Sequence, residues 1–301
     1  MEDPALRDIR LFVAAVQHGS LSAGSRVFNL SANAASVSVK RLEEMLGVQL
    51  LLRTTRAISL TAEGEIYLEQ CRLLLEAVEA AQSSVGPLRD ELVGPVRVSA
   101  PSDLGRYTLM PMLDAFLEQH PGVRLDLWLS DDVYDVVDTR IDISIRYGAL
   151  EDAELVARRL YRDRRVAVAS PEYVERHPPI THPAHLAQHK ALIWHRPGRA
   201  LNHWGFSQDD EYITVEVSGH RSANDGVLLR NWAIEGHGVV FKCGLDVRAD
   251  LEAGDLVDVL PEWSGSEIPL HLVLPGRGPK PARVQRLVSA LVEGFAQIPP
   301  P

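Results

Sequence analysis

Residues 31–46, SANAASVSVKRLEEML, crowd small hydroxyl, amide and methyl side chains at one end of a stretch whose spacing predicts a short helix. Ala35, Val39, Leu42 and Leu46 recur at intervals of four, three and four and predict its buried stripe. Ala32, Asn33, Ser36, Val37 and Lys40 then share the opposite face, with Ser31 at the helix start and Ser38 beside them. These residue types suit base edges in a DNA major groove. Asn33 and Ser36 are the hydrogen-bonding candidates, and the methyls of Ala32 and Val37 can meet a thymine methyl. A merely solvated face is the alternative, and an exposed β-branched Val37 disfavours it.

A second group has the chemistry of a small-molecule site. The run SAPSDLG (residues 99–105) follows a predicted strand and opens a helix whose first amides can hold an anion, with Ser102 the leading candidate. Ser130 ends the next predicted strand, where ligands of open α/β sheets collect. Arg146 follows IDISI and suits either a ligand carboxylate or a structural ion pair. Asn224 lies in SANDG before a further helix. Lys242, after GVVF, is either a buried cation awaiting an acidic ligand or an edge residue whose ammonium reaches water.

The elements that must position these residues fall into two textures. Leu6, Ile9, Phe12, Val13 and Val16 have helical spacing, Gly19 ends that helix, and Ser20 is a good N-cap for the next. A break at Phe28-Asn29-Leu30 follows, with Asn29 suited to a left-handed turn, and Ser31 caps the helix described above. Two short helices joined so tightly form a helix-turn-helix. QLLLRTTRAISLT (residues 49–61) reads as a hairpin with Thr54-Thr55-Arg56 at its tip, which makes the unit winged. Arg53, Thr55 and Arg56 are then placed to reach phosphates or a minor groove.

Thr61 can cap a long helix, along which Leu68, Cys71, Leu75, Val78, Gln82 and Val85 form a continuous stripe. A lone helix cannot bury such a stripe against itself, so dimerisation is the favoured reading, with packing on its own domain the alternative. Gly86-Pro87 and Gly94-Pro95 punctuate a hinge. Strands and helices alternate beyond it and predict an α/β domain with a largely parallel sheet. The expected divisions are residues 1–61, a linker helix over 62–92, and a domain over 93–301.

The 301 residues suffice for two domains, and 46% hydrophobic with 24% charged residues is an ordinary globular balance. The formal charge of −10 opposes a nucleic-acid partner taken whole, yet residues 20–61 carry five basic side chains against Glu43 and Glu44. No apolar run is long enough for a membrane span, and the acidic start MEDPALRDIR does not resemble a secretory signal. Two distant cysteines, Cys71 and Cys243, suit a reducing cytoplasm.

In these runs the chain resembles the LysR-type transcriptional regulators. The likeness is carried by LRDIRLFVAAVQHGSLSAGSRVFNLS and RLEEMLGVQLLLRTTRAISLTAEG, then by HPGVRLDL, IDISIRYG, ASPEYVERH, EGHGVVF and DLEAGDLVDVLPEW, in that order. The resemblance implies an N-terminal winged helix-turn-helix and a long linker helix that dimerises. It further implies a C-terminal α/β domain of two lobes, like periplasmic binding proteins, with a small molecule between them. Its expected partners are double-stranded DNA, a small-molecule effector, and copies of the chain as a dimer and homotetramer; the dimer imposes a two-fold symmetric operator, and the residues around Ser102, Arg146 and Lys242 suit an anionic effector. The family often carries Arg or Lys where Val37 stands and Gln where Ser38 stands, so no base preference transfers.

His182, His185 and His189 have a spacing that a helix could present to a metal, but Pro178, Pro179 and Pro183 break any long helix there. Structural or surface histidines are the stronger reading. No Gly-rich phosphate loop, nucleophile elbow or Cys-His pair is present, so neither a catalytic role nor a cofactor is expected. A solute-binding protein would need an export signal and no helix-turn-helix, and an enzyme would need a catalytic constellation.

Overall fold

The structure, a computed structural model, describes residues 4–53, 58–85, 92–131, 141–148, 156–196, 199–275 and 280–299. The chain divides into two compact units, Met1–Leu88 with Gly278–Ala282, and Arg89–Arg277 with Arg283–Pro301.

The first unit contains α1 (Pro4–Gln17), α2 (Leu21–Arg26), α3 (Ala32–Leu46), the strands β1 (Leu51–Arg53) and β2 (Ile58–Leu60), and α4 (Ala62–Val85). Its helix ends are where local chemistry places them. Ser20 Oγ accepts from the Ala23 amide, Ser31 Oγ from the Ala34 amide, and Thr61 Oγ1 from the Gly64 amide. Asn29 turns the chain at φ 53°, and Gly19 and Gly47 leave α1 and α3 at φ 72° and 70°. β1 and β2 pair antiparallel with Leu51 opposite Leu60 and Arg53 opposite Ile58, which is the expected wing. Thr55 and Arg56 lie outside the described residues, as does the side chain of Arg53.

The core of this unit joins Phe12, Val13, Val39, Leu42, Leu50 and Leu51 to Leu68 and Cys71 of α4. Half of the α4 stripe is therefore covered within its own unit, through contacts such as the Phe12 and Tyr67 rings with centroids 5.7 Å apart. For this half of the stripe the alternative reading, packing on its own domain, describes the structure. The side chains of Gln82 and Val85 lie outside the described residues. Leu46, expected in the core, is exposed at the end of α3.

The second unit runs through β3 (Gly94–Ala100), a π-helical turn at Leu104–Leu109, α5 (Met110–Gln119), β4 (Val123–Leu129), β5 (Ile143–Tyr147) and β6 (Val156–Ala169). It continues with α6 (Pro171–Arg176), a 3₁₀ segment at Pro183–Gln188, β7 (Ala191–Arg196), β8 (Arg199–Ala200), β9 (His203–Gln208) and β10 (Glu211–Glu216). β11 (Arg221–Ala223), α7 (Gly226–Ile234), β12 (Val239–Cys243), α8 (Gly244–Ala253), β13 (Val257–Asp258), β14 (Ser264–Gly265), β15 (Glu267–Leu274) and α9 (Ala282–Ala296) complete it. Gly94-Pro95 begins β3, paired with Val123 and Arg124, rather than forming a hinge.

The main sheet has the order β11-β7-β12-β6-β15-β5-β3-β4. It is mixed rather than largely parallel. β3 runs parallel to β4 and β5, and β7 to β11 and β12, but β15 is antiparallel to β5 and β6, and β12 to β6. β6 and β15 are the long strands of the sheet and cross between two lobes. The first lobe packs α5 and α9 on β3 and β5 around Val98, Leu113, Phe116, Ile145, Leu287 and Phe295. In the second, Val239 and Phe241 of β12 enter one core, while Val240 between them enters another on the opposite face. Alternation along a strand buried on both faces explains the unbroken apolar run GVVF. Among the described residues, no helix is long and apolar enough to cross a membrane.

Candidate functional site

The helix-turn-helix is held by contacts far apart in sequence. Asp8 of α1 is buried and its two oxygens accept from Nε and an Nη of Arg41 on α3, both at 2.5 Å. Glu43 Oε1 accepts from the amides of Leu50 and Leu51 at 2.9 and 3.1 Å, tying the wing to α3. Gly24 permits α2 to cross α1, since a Cβ there would lie 2.5 Å from the Ala15 nitrogen. Glu43 and Arg41 thus work inside the unit, a role that counting charges did not reveal.

On α3, Ala35, Val39 and Leu42 are buried as expected. Ser31, Ala32, Asn33, Val37 and Lys40 are exposed on the outer face, with Ser36 half-buried beside them. Val37 retains 52% of its accessible surface. Ser38 is the exception. It is buried, one position before Val39 on the inner stripe, and so is withdrawn from the groove-facing set. Lys40 lies 3.4 Å from Glu44 one turn on, both largely exposed, a contact weak enough to be exchanged for a phosphate.

In the second unit a cleft of about 100 Å³, partly open to solvent, lies between the lobes. Trp194, Trp204, Phe241 and Leu229 form its apolar wall on one lobe, and Ser130, Asp131, Arg146 and Tyr147 its polar side on the other. Arg165 also lines it and lies 5.7 Å from the centre of the Phe241 ring. Aromatic faces opposite a few fixed polar groups are the usual lining of small-molecule sites.

Ser130 and Arg146 both line the cleft, and Arg146 donates to the Ser99 hydroxyl at 2.6 Å and to the Ser130 carbonyl at 3.3 Å. Ser102 is buried, and its amide and hydroxyl donate to the carboxylate of Asp131, at 2.7 and 2.5 Å. Asn224 is exposed and does not line the cleft, because Asp225 caps α7 by accepting from the Leu228 amide, and Gly226 is the residue turned inward. Of the two readings of Lys242, the buried one holds, but the cation is already paired. It donates to Asp103 in the opposite lobe and lies 3.5 Å from Asp246.

That pairing is crowded. Asp246 also accepts from the Tyr147 hydroxyl at 3.0 Å, and Asp103 Oδ1 is buried with no hydrogen-bond partner among the described residues. Burial pushes the Asp103 carboxyl up to about 6 against the pull of Lys242, and the neighbouring carboxylates of Asp246 and Asp131 push the same way. Burial alone would lower Lys242, but Asp246 and Asp103 outweigh it and hold the ammonium above its ordinary value.

The histidines have local partners. His182 Nδ1 accepts from the Ala184 amide at the start of the 3₁₀ segment and its ring meets Trp263 edge-on at 5.1 Å. His177 stacks on Tyr173 at 3.9 Å, and His189 contacts the Tyr173 hydroxyl at 3.2 Å.

The family model described as bacterial regulatory helix-turn-helix protein, lysR family, matches residues 6–65, and that described as LysR substrate binding domain matches residues 89–296. The chain is 32% identical to an HTH-type transcriptional regulator of Xanthomonas campestris pv. campestris, across 96% of this chain and 83% of that protein. It is 31% identical to the regulator PtxR of Pseudomonas aeruginosa, with 98% and 94% of the two chains covered. The solved structure of CrgA, a LysR-type transcriptional regulator from Neisseria meningitidis, is similar with a TM-score of 0.64 at 31% identity, over 97% of this chain and 99% of that one.

Proposed function

The chain belongs to the LysR-type transcriptional regulators, with an effector-binding domain, and on that premise we propose that a small molecule held between the two lobes controls its binding to DNA. The observation that carries this reading is the cleft itself, lined by both lobes and walled by Trp194, Trp204 and Phe241. A compound that fits one closure of the lobes better than another shifts the population toward it, and a compound indifferent to closure shifts nothing. Arg146 and Arg165 in the lining favour a ligand with an acidic group on an apolar or aromatic body.

The DNA contacts are assigned to Ser31, Ala32, Asn33, Ser36, Val37 and Lys40 on α3, with Arg53, Thr55 and Arg56 of the wing on the phosphates or minor groove. A homodimer through α4 gives the operator its two-fold symmetry, and pairing of dimers gives a tetramer. Ile66 and Leu73 support the dimer: they are exposed and seven residues apart, two helical turns, so they share a face. The expected divisions fit this scheme, with residues 1–61 on DNA, 62–92 pairing copies, and 93–301 receiving the effector. Work on DNA fits a cytoplasmic protein, and a regulatory rather than an enzymatic role agrees with the relatives named above, each described as a transcriptional regulator.

Trp194 and Trp204 supply the test. Metabolites can be screened by quenching of tryptophan fluorescence, and each binder assayed for its effect on DNA affinity. A compound that binds the cleft of a folded oligomer and changes DNA affinity supports the reading. Binders that leave DNA affinity unchanged throughout would sink it.

A further inference from the structure

Asp131 stands at the junction of the lobes, two residues after β4, with its bonding capacity turned inward. Oδ1 accepts from the Ser102 amide at 2.7 Å, and Oδ2 from the Ser102 hydroxyl at 2.5 Å and the Gly226 amide at 2.7 Å. Ser102 follows β3 in the first lobe, whereas Gly226 is the first residue of α7 in the second. One carboxylate therefore binds donors from both lobes at once. Two backbone amides, one of them at the positive end of a helix, and a hydroxyl make an anion seat, and an anion is in it.

The seat adjoins the cleft, since Asp131 and Gly226 both line it. It has no room to spare. A Cβ on Gly226 would lie 2.5 Å from Asp103 Oδ2, 2.8 Å from Lys242 Nζ and 3.1 Å from Asp131 Oδ2. The surroundings are also loaded with negative charge, because Lys242 faces both Asp103 and Asp246. A second carboxylate added beside Asp131 would meet like charge on donors already spent. A carboxylate that replaces Asp131 leaves the charge in the seat unchanged.

We propose that Asp131 is an internal latch that holds the lobes together in the ligand-free chain, and that an effector carboxylate acts by exchanging with it at Ser102 and Gly226. This rests on the reading of the cleft as the effector site and names the ligand class and the contact through which occupancy reaches the lobes. Closure is then transferred from a side chain tethered to β4 to a ligand that also touches the aromatic wall.

The test is rescue of the full-length chain by acetate, a carboxylate small enough to fill the vacated seat. Amide hydrogen exchange is followed at Ser102 and Gly226 in wild type, Asp131→Ala and Asp131→Asn, with acetate or chloride at equal ionic strength. In Asp131→Ala both amides should exchange about tenfold faster or more, the weight of one charge-assisted hydrogen bond, and acetate should restore their protection. Acetate should leave wild type unchanged. Asp131→Asn still fills the seat, so it should lose part of the protection and gain none from acetate, and it reports on the latch should the alanine variant fail to fold.

Unchanged exchange in the folded variants would overturn the latch. Lost protection that acetate cannot restore, or an equal acetate effect on wild type, would overturn the exchange. These measurements need no DNA, so failure of the regulatory reading would show separately, as DNA affinity indifferent to every ligand of the cleft.

Discussion

Lys242, at the end of β12, donates to the carboxylate of Asp103, which lies 139 residues earlier and in the opposite lobe. The contact is buried on both sides, and Asp246 stands 3.5 Å from the same ammonium. One cation thus serves two buried carboxylates, a pairing whose loss costs more than its formation stabilises.

Lys242→Met should therefore destabilise the chain by roughly 3–5 kcal/mol near pH 8, the usual cost of stranding buried charge. Its sign with pH follows from Asp103, whose folded value near 6 lies above the ordinary 3.8. A raised carboxyl binds protons more tightly in the folded state, so its contribution is fully present below 3.8 and is lost as pH rises through about 6. Removing the ammonium raises the carboxyls further, so the deficit of Lys242→Met should shrink as pH falls toward 5. Urea unfolding of both proteins at several pH values checks this, and a deficit that grows on acidification would refute it.

Arg41→Ala removes the partner of a buried Asp8. Loss of this charge pair strands a buried carboxylate, an effect moderated because Arg41 is itself more than half exposed and screened by water. The variant should unfold at lower urea. It should also lose affinity for specific and random DNA alike, because α3 is no longer fixed on α1. Selective loss on the specific site would mean that Arg41 reads bases.

Asn33 and Lys40 should separate base reading from charge. Asn33→Ala is expected to weaken the specific site by about 1–3 kcal/mol while leaving random DNA nearly unchanged. Lys40→Ala is expected to weaken both and to lower the slope of affinity against salt by about one ion. Competition binding at several salt concentrations distinguishes them. Equal losses for Asn33→Ala on both DNAs would mean that it only positions the backbone.

Both cysteines should be sluggish toward alkylation. Cys71 and Cys243 are buried, and burial pushes both thiols up, with Asp246 adding to the effect on Cys243. At neutral pH little thiolate is present to react. Iodoacetamide should label the urea-unfolded chain quickly and the folded chain slowly at both positions. Rapid labelling of the folded chain would show that its core opens readily.

What the sequence made legible was whatever is decided within a few residues. The caps at Ser20, Ser31 and Thr61 and the turn at Asn29 follow from bonds spanning about three positions, and so the helix-turn-helix and wing were readable. Even Ser38 was readable from spacing, since it falls three after Ala35 and four before Leu42, on the inward stripe. Strand direction was not. Nothing in the sequences of β6 and β15 indicates that they lie antiparallel and join the lobes. The sites followed the same division. Ser102, Ser130 and Arg146 were picked out by their places at strand ends, but Asp131 acquires its role from Gly226, 95 residues away. Asp8 likewise acquires its role from Arg41 at a separation of 33. Such partners are set by packing, and local pattern does not carry them.

The measurement that bears most directly on the account is footprinting of genomic DNA by the full-length oligomer, with and without a compound that binds the cleft, in wild type and in Arg146→Met. The account predicts protected sites of two-fold symmetry whose affinity the compound shifts by about 5- to 150-fold in wild type, the usual range of allosteric coupling, and by far less in the variant. Folded oligomers that protect no site under any condition, or a shift that persists undiminished in Arg146→Met, would contradict it.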